Sequence, residues 1–216
     1  MDVTVSESNI GEARERFAGF AELAADAPLQ EAYAALDDLM RKLAKDEVSY
    51  YVYEEWMEAA FYNMHSPTRS APLFDHIAAR IESDGIMKDM LDRVALLRRY
   101  NSLNLEGQQC TLPQLFTPDG TPAEVSGPAT VLVVDQTCRT CISALGALAS
   151  EGGRHLAICA SNGDIPSAPG WEYFRAQALS DIFDTAALPF WFAIDASGTV
   201  TVPYSPIPQQ KFATPQ

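Results

Sequence analysis

Residues 131–141 read VLVVDQTCRTC. A run of branched apolar residues stops at Asp135, and two cysteines follow at C-x-x-C spacing. This stretch constrains the fold more than any other. ATVLVVD shows no apolar–polar alternation, so it reads as a strand covered on both faces. Residues 139–149 fit a helix, so Cys138 stands where the strand has ended and a helix opens. HLAICAS then supplies a second buried strand. Strand, crossover helix, strand predicts a parallel pair with a right-handed crossover.

That position has a chemical meaning. The first turn of a helix leaves backbone N–H groups unpaired, and the helix dipole favours an anion there. A thiol placed at such a point loses its proton more easily, and the thiolate is the nucleophile in thiol–disulfide exchange. Arg139, inside the motif, carries a charge of the favourable sign. Cys141, one turn further in, is placed as a buried resolving thiol. The pair admits three readings: a dithiol that opens and closes, an inert pair, or half of a metal site. A zinc site needs about four ligands, and no second C-x-x-C or C-x-x-H is present. Cys110 and Cys159 would have to converge on the pair, yet Cys159 falls in a buried strand and Cys110 near a domain junction. His65, His76 and His155 show no metal or hydrolase spacing. No metal or cofactor is called for. A peroxidase of the single-cysteine kind would use Thr140 and Arg139 around a peroxide, but a second thiol three residues away suits dithiol exchange better. Asp135, near the strand end, either accepts the proton of the buried thiol or simply ends the strand in solvent.

The first hundred residues have a different character. From Asn9 to Ala27 the apolar residues Ile10, Ala13, Phe17, Phe20, Ala21 and Ala24 follow the helical period. Asn9 with Glu12 predicts a capping box. Pro28 opens a second helix with Leu29, Ala32, Leu36, Leu39, Met40 and Leu43 as its inner stripe. Val48 to Met64 is rich in aromatics and reads as a core helix. Tyr50 and Tyr51 are adjacent, so one of them faces outward. Pro67 and Pro72 break the pattern, and helices are predicted over Leu73–Glu82 and Ile86–Tyr100.

After Asn101, Gly, Pro and Thr punctuate short runs. TPDG predicts a hairpin turn. WEYFRAQALSDIF fits a helix. FWFAID and TVTVPY, joined by ASG, read as two antiparallel strands. Leu188-Pro189 stands just ahead of the first of these, where proline is tolerated. The last dozen residues, SPIPQQKFATPQ, read as a surface tail.

The residues VLVVDQTCRTC, the LP before FWFAID and the DASGTV turn resemble a thioredoxin-like protein of the redoxin type. YYVYEEWMEAAFYNMHSPTR and YNSLNLEGQQC resemble the helical region of unknown function that precedes the redoxin domain in some Gram-negative envelope proteins. The resemblance implies an all-α domain over 1–105 and a thioredoxin-like α/β domain over 106–216, with a central mixed sheet flanked by helices. It implies thiol–disulfide oxidoreductase chemistry, with Cys138 attacking, Cys141 resolving, and Leu188 with a cis Pro189 shaping a substrate groove. It departs from the family at Thr137, where a bulky residue is common, at Leu188 before the proline, at Phe190, where Thr is common, and at the tail in place of a last helix. Thr137, Arg139 and Asp135 are the expected modulators.

Composition bounds the partners. The 216 residues carry a formal net charge of −14, which repels phosphate backbones and anionic lipid. No stretch approaches the roughly 18 apolar residues of a spanning helix. The start MDVTVSESNIGEARERF lacks the basic and apolar regions of a secretion signal. It fits a mature chain whose leader is replaced by Met1, and equally a cytoplasmic protein. The resemblance implies a periplasmic or cell-envelope location, with protein thiols or disulfides as partners and an upstream thiol donor. The rival function is a non-enzymatic binding module, a retained thioredoxin scaffold whose helical half recognises a protein or peptide.

Overall fold

The computed structural model describes residues 3–86, 88–135, 138–149, 152–159 and 168–207, except the side chains of Arg139 and Ile142. The chain divides into two compact units, Met1–Ser102 and Leu103–Gln216.

The first unit is helical: α1 (Ile10–Asp26), α2 (Leu29–Leu43), α3 (Glu47–Met57), α4 (Ala71–Asp84) and α5 (Leu91–Ser102). Most of each stripe read from the sequence is buried as a face, Ala13, Phe17, Ala21 and Ala24 on α1 and Ala32, Leu36, Leu39, Met40 and Leu43 on α2, but Ile10 and Leu29, at the helix starts, are exposed at 44% and 46%. The aromatic stretch is core, with Tyr50, Tyr53 and Phe61 all at 0% exposure, while Tyr51 faces outward at 37%. It ends in one π-helical stretch, Glu58–Tyr62.

Three local expectations are corrected. No capping box forms at α1. The Asn9 side chain turns back instead, accepting from the Ser6 N–H at 2.8 Å and donating to the Thr4 carbonyl at 3.0 Å, and Glu12 pairs with Arg16. Helix α4 starts at Ala71, because Pro72 sits in the first turn, where its missing N–H costs nothing. Helix α5 starts at Leu91 rather than Ile86, its first turn closed by the Val94 N–H on the Met90 carbonyl.

The second unit is built on a seven-stranded mixed sheet in the order β2-β1-β5-β4-β3-β6-β7. The strands are β1 (Leu115–Phe116), β2 (Pro122–Ala123), β3 (Ala129–Val134), β4 (His155–Cys159), β5 (Trp171–Ala176), β6 (Phe190–Ile194) and β7 (Val200–Pro206). Helix α6 (Arg139–Leu148) links β3 to its parallel neighbour β4. The TPDG hairpin and the antiparallel β6–β7 pair both form as read.

The helix expected over WEYFRAQALSDIF is instead strand β5, followed by a 3-10 turn at Leu179–Asp181. The apolar spacing there suits either element, and six residues rich in Trp, Tyr and Phe favour a pleated surface. The free edge of β4 decides it: β5 pairs with β4 in parallel from His155↔Trp171 to Cys159↔Arg175. Ala178, at φ 52, then turns the chain away. The tail expectation is trimmed, since Ser205 and Pro206 belong to β7, while residues 208–216 lie outside the described residues.

The two faces of the sheet differ. On one, Leu132, Val134, Ala157, Cys159 and Trp171 pack with Cys141, Ala144, Leu145 and Leu148 of α6. On the other, Phe183, Phe190, Phe192 and Tyr204 interlock with ring centroids 5.0–6.0 Å apart. No helix among the described residues is long and apolar enough to cross a membrane.

A candidate dithiol site

Strand β3 lies inside the sheet, between β4 and β6, and carries the site at its carboxyl end. Its register with β6 sets Val133 opposite Phe190. The chain therefore leaves β3 toward Cys138 at the same end where Leu188-Pro189 enters β6. The Leu188–Pro189 peptide is cis. Leu188 and Cys138 both pack, half-exposed, against the cluster that contains Cys141.

Cys138 is the N-cap of α6. Its sulfur accepts from the backbone N–H of Cys141 at 3.2 Å and lies 3.4 Å from the Thr140 hydroxyl. The Cys138 N–H in turn donates to the Asp135 carbonyl at 3.1 Å. Burial pushes the Cys138 thiol up, but hydrogen bonds from the Cys141 thiol, the Thr140 hydroxyl and the backbone N–H groups outweigh it. The thiol is held below its ordinary value.

Cys141 is the opposite case. It is 1% exposed, and its sulfur accepts from the Asp135 N–H at 3.5 Å. Burial pushes it up to about 12, with the neighbouring Cys138 and Asp135 charges acting the same way. At neutral pH, Cys141 is a thiol beside a sulfur that favours the anion. All four cysteines are free.

The other expected residues divide. Asp135 is half-exposed, and the contacts described above are those of its backbone; its charge adds to the proton affinity of Cys141. Arg139 opens α6, but its side chain lies outside the described residues, as does Thr137. Cys159 is a core residue at 0% exposure, and Cys110 is half-buried, its thiol pushed up to about 11 by burial. Among the described residues no group of three or more His, Cys, Asp or Glu side chains could hold a metal.

Two features went unread. The Thr140 hydroxyl faces the Cys138 sulfur, as a hydroxyl in a helix's first turn can. Trp191 and Ile207 also pack, half-exposed, on the Cys141 cluster, with the Trp191 Nε1–H donating to the Pro206 carbonyl at 3.0 Å. The hydrogen bond from Trp191 to Pro206 depends on the β6–β7 register, which no local pattern reveals.

No family model matches the chain, and no curated protein matches it. Among solved structures it is similar to a thioredoxin-like protein from Bacteroides caccae. The identity is 11% and the TM-score 0.75, over 94% of this chain and 83% of that one. It also aligns with the C-terminal domain of an uncharacterized protein from Bacteroides fragilis, at 14% identity and a TM-score of 0.41, over 48% of this chain and 92% of that one. The second likeness is too slight to carry an argument. The first shows the fold: a thioredoxin-like α/β architecture preceded by a helical region.

Proposed function

We propose that this chain is a thiol–disulfide oxidoreductase that exchanges its Cys138–Cys141 pair with protein thiols and disulfides. One observation carries the reading: two sulfurs one helical turn apart differ in proton affinity in the sense that such exchange requires. The Cys138 thiolate attacks one sulfur of a partner disulfide. The partner S–S bond breaks, a mixed disulfide forms on Cys138, and the released partner thiolate takes up a proton. Cys141 then gives up its proton and attacks the Cys138 sulfur. The mixed disulfide breaks, the second partner thiolate leaves and is protonated, and the Cys138–Cys141 disulfide remains. The partner has gained two electrons and the dithiol has lost two. An upstream thiol donor resets the pair; the same steps in reverse oxidise a partner. Leu188 and Pro189 form one flank of the groove where the partner chain lies. An oxidising or envelope compartment is the setting in which such a pair finds disulfide-bearing partners.

The test is a redox titration of the pair against glutathione, read by mass-shift labelling, with Cys138→Ser as control. A reversible two-electron transition lost in the control is expected. A pair locked in one state across the titration overturns the reading and leaves the retained-scaffold alternative, in which the helical half binds a partner.

A further inference from the structure

The carboxyl end of the parallel strands carries a cation that dithiol exchange does not use. Arg175 stands one residue before the end of β5. It is in register with Cys159 on β4, which is in register with Val134 on β3. Val134 and Cys159 both pack in the α6 cluster, so Arg175 shares their face, where Cys138 and Cys141 also pack. The residue after Val134 is Asp135, whose N–H meets the Cys141 sulfur. The row from the dithiol turn to Arg175 is therefore two strand spacings long, about 10 Å.

This guanidinium has no acid of its own among the described residues. Its register neighbours, Cys159 and Phe116 on β1, offer no carboxylate. The acid of its own strand, Glu172, stands three residues away, hence on the opposite face, and pairs with Arg154. The Arg175 Nε is buried and meets no hydrogen-bond partner among the described residues. Arg16, Arg80, Arg93 and Arg98, by contrast, each hold a carboxylate. An arginine fork takes a carboxylate in two parallel hydrogen bonds, and a half-buried one without a counter-ion is open to an acid that arrives with a partner.

We propose that Arg175 is a specificity-determining residue that receives a side-chain carboxylate of the partner chain, so that the dithiol favours disulfides with Asp or Glu nearby. The proposal rests on the dithiol reading above. An extended chain rises about 3.3 Å per residue, so the acid sits about three residues from the attacked cysteine. The net charge of −14 repels an acidic partner at long range. At physiological salt that repulsion is screened beyond about 8 Å, while a close fork on a carboxylate persists.

The experiment uses the full reduced chain as wild type, Arg175→Gln and Arg175→Lys. The probes are synthetic peptides closed by one internal disulfide, identical except for Glu or Gln about three residues before, or after, a cysteine. Initial rates of peptide reduction are read by chromatography at physiological salt. The intrinsic effect of Glu on the disulfide is the same for every protein, so the Glu-to-Gln rate ratio is compared between proteins. The wild-type ratio is expected to exceed that of Arg175→Gln by about threefold for one of the two placements, with Arg175→Lys between them. The Gln peptide should be reduced at the same rate by all three. A merely structural role would slow both peptides alike and leave the ratio unchanged. Equal ratios in wild type and Arg175→Gln for both placements overturn the proposal while dithiol exchange stands. If the wild type reduces neither peptide, the oxidoreductase reading falls, and calorimetric binding of the same peptides decides on Arg175 by itself. A Glu preference lost in Arg175→Gln then supports the carboxylate site, and no preference overturns it. Should the glutamine variant not fold, Arg175→Met, which keeps the apolar stem, takes its place with the same expectations.

Discussion

The helical unit and the sheet unit each hold a deeply buried acid whose proton affinity burial raises, Glu54 and Cys141, and the two sit beside different neighbours. Glu54 on α3 is 2% exposed and lies 3.9 Å from Arg93, whose guanidinium is already engaged by Glu58 at 2.5 Å. Burial pushes Glu54 up to about 7, and the Glu58 charge adds to it. Cys141 on α6 is also raised chiefly by burial, but its neighbour is a sulfur that favours the anion. The same desolvation therefore has two outcomes. In the helical unit it leaves a carboxyl whose charge opposes the packing around it. In the sheet unit it keeps a proton on one sulfur next to another whose hydrogen bonds favour losing it. The difference lies in the neighbour: an ion pair in the first case, a helix start open to solvent in the second.

The sharpest way to break the comparison is to remove either sulfur. Cys138→Ser is expected to abolish exchange, and Cys141→Ser to leave the partner held as a mixed disulfide that survives non-reducing electrophoresis. If Cys141→Ser cycles like wild type, the proton stored on Cys141 has no role.

Next comes the far end of the sheet. A Cβ at Gly127 would stand 1.8 Å from the Asp195 carbonyl oxygen, whereas one at Gly146 meets nothing within 4 Å. Gly127→Ala is expected to cost about 3 kcal/mol or more, the upper range of overpacking. Gly146→Ala, within α6, should stabilise by about 0.5–1 kcal/mol. Denaturant titration of the two variants checks both signs.

Glu54 gives a pH signature with the opposite sense to acid denaturation. Its folded value of about 7 lies above the ordinary 4.5, so the folded chain keeps a proton that the unfolded chain has lost. The stabilisation is complete below about pH 4.5, declines as pH rises through about 7, and is absent above, a span of about 3 kcal/mol at most. Glu54→Gln should flatten this part of the profile. Hydrogen exchange of the α3 and α5 amides reads the helical unit by itself, and an unchanged profile would mean that Glu54 ionises as an ordinary carboxylate.

The smallest effect belongs to the Arg154–Glu172 pair. Both partners are partly exposed and joined at 2.7 Å, with each partner's pKa moved toward its charged form by the hydrogen bond between them. Glu172→Gln should cost less than about 1 kcal/mol and nothing at high salt. A larger loss would show that this pair shapes β5.

Much of the architecture is legible in the chain because one physical signal dominates each part. In α1 and α2 the apolar stripe alone sets the buried face. In β3 an unbroken apolar run reports burial on both sides. Position β5 escaped because its six residues satisfy two periods, and the choice rests with β4, a partner distant in sequence. Asn9 escaped because its carboxamide had a nearer upstream turn to bind. At the site, the two cysteines and Leu188-Pro189 are visible as residue types at meaningful places. The Thr140 contact is not, since a hydroxyl shows its partner only once the helix has a definite start.

The sheet's two borders bear on how the protein behaves when crowded. One border is β2, only two residues long and opened by Pro122; the other is β7, which carries Pro203 and ends in Pro206. Proline offers no N–H, so neither border presents a long row of free donors to a neighbouring chain. With a net charge of −14 adding mutual repulsion, strand-by-strand addition of copies is blocked at both ends of the sheet. The sheet is thereby kept from recruiting the strands of neighbouring chains into a growing stack.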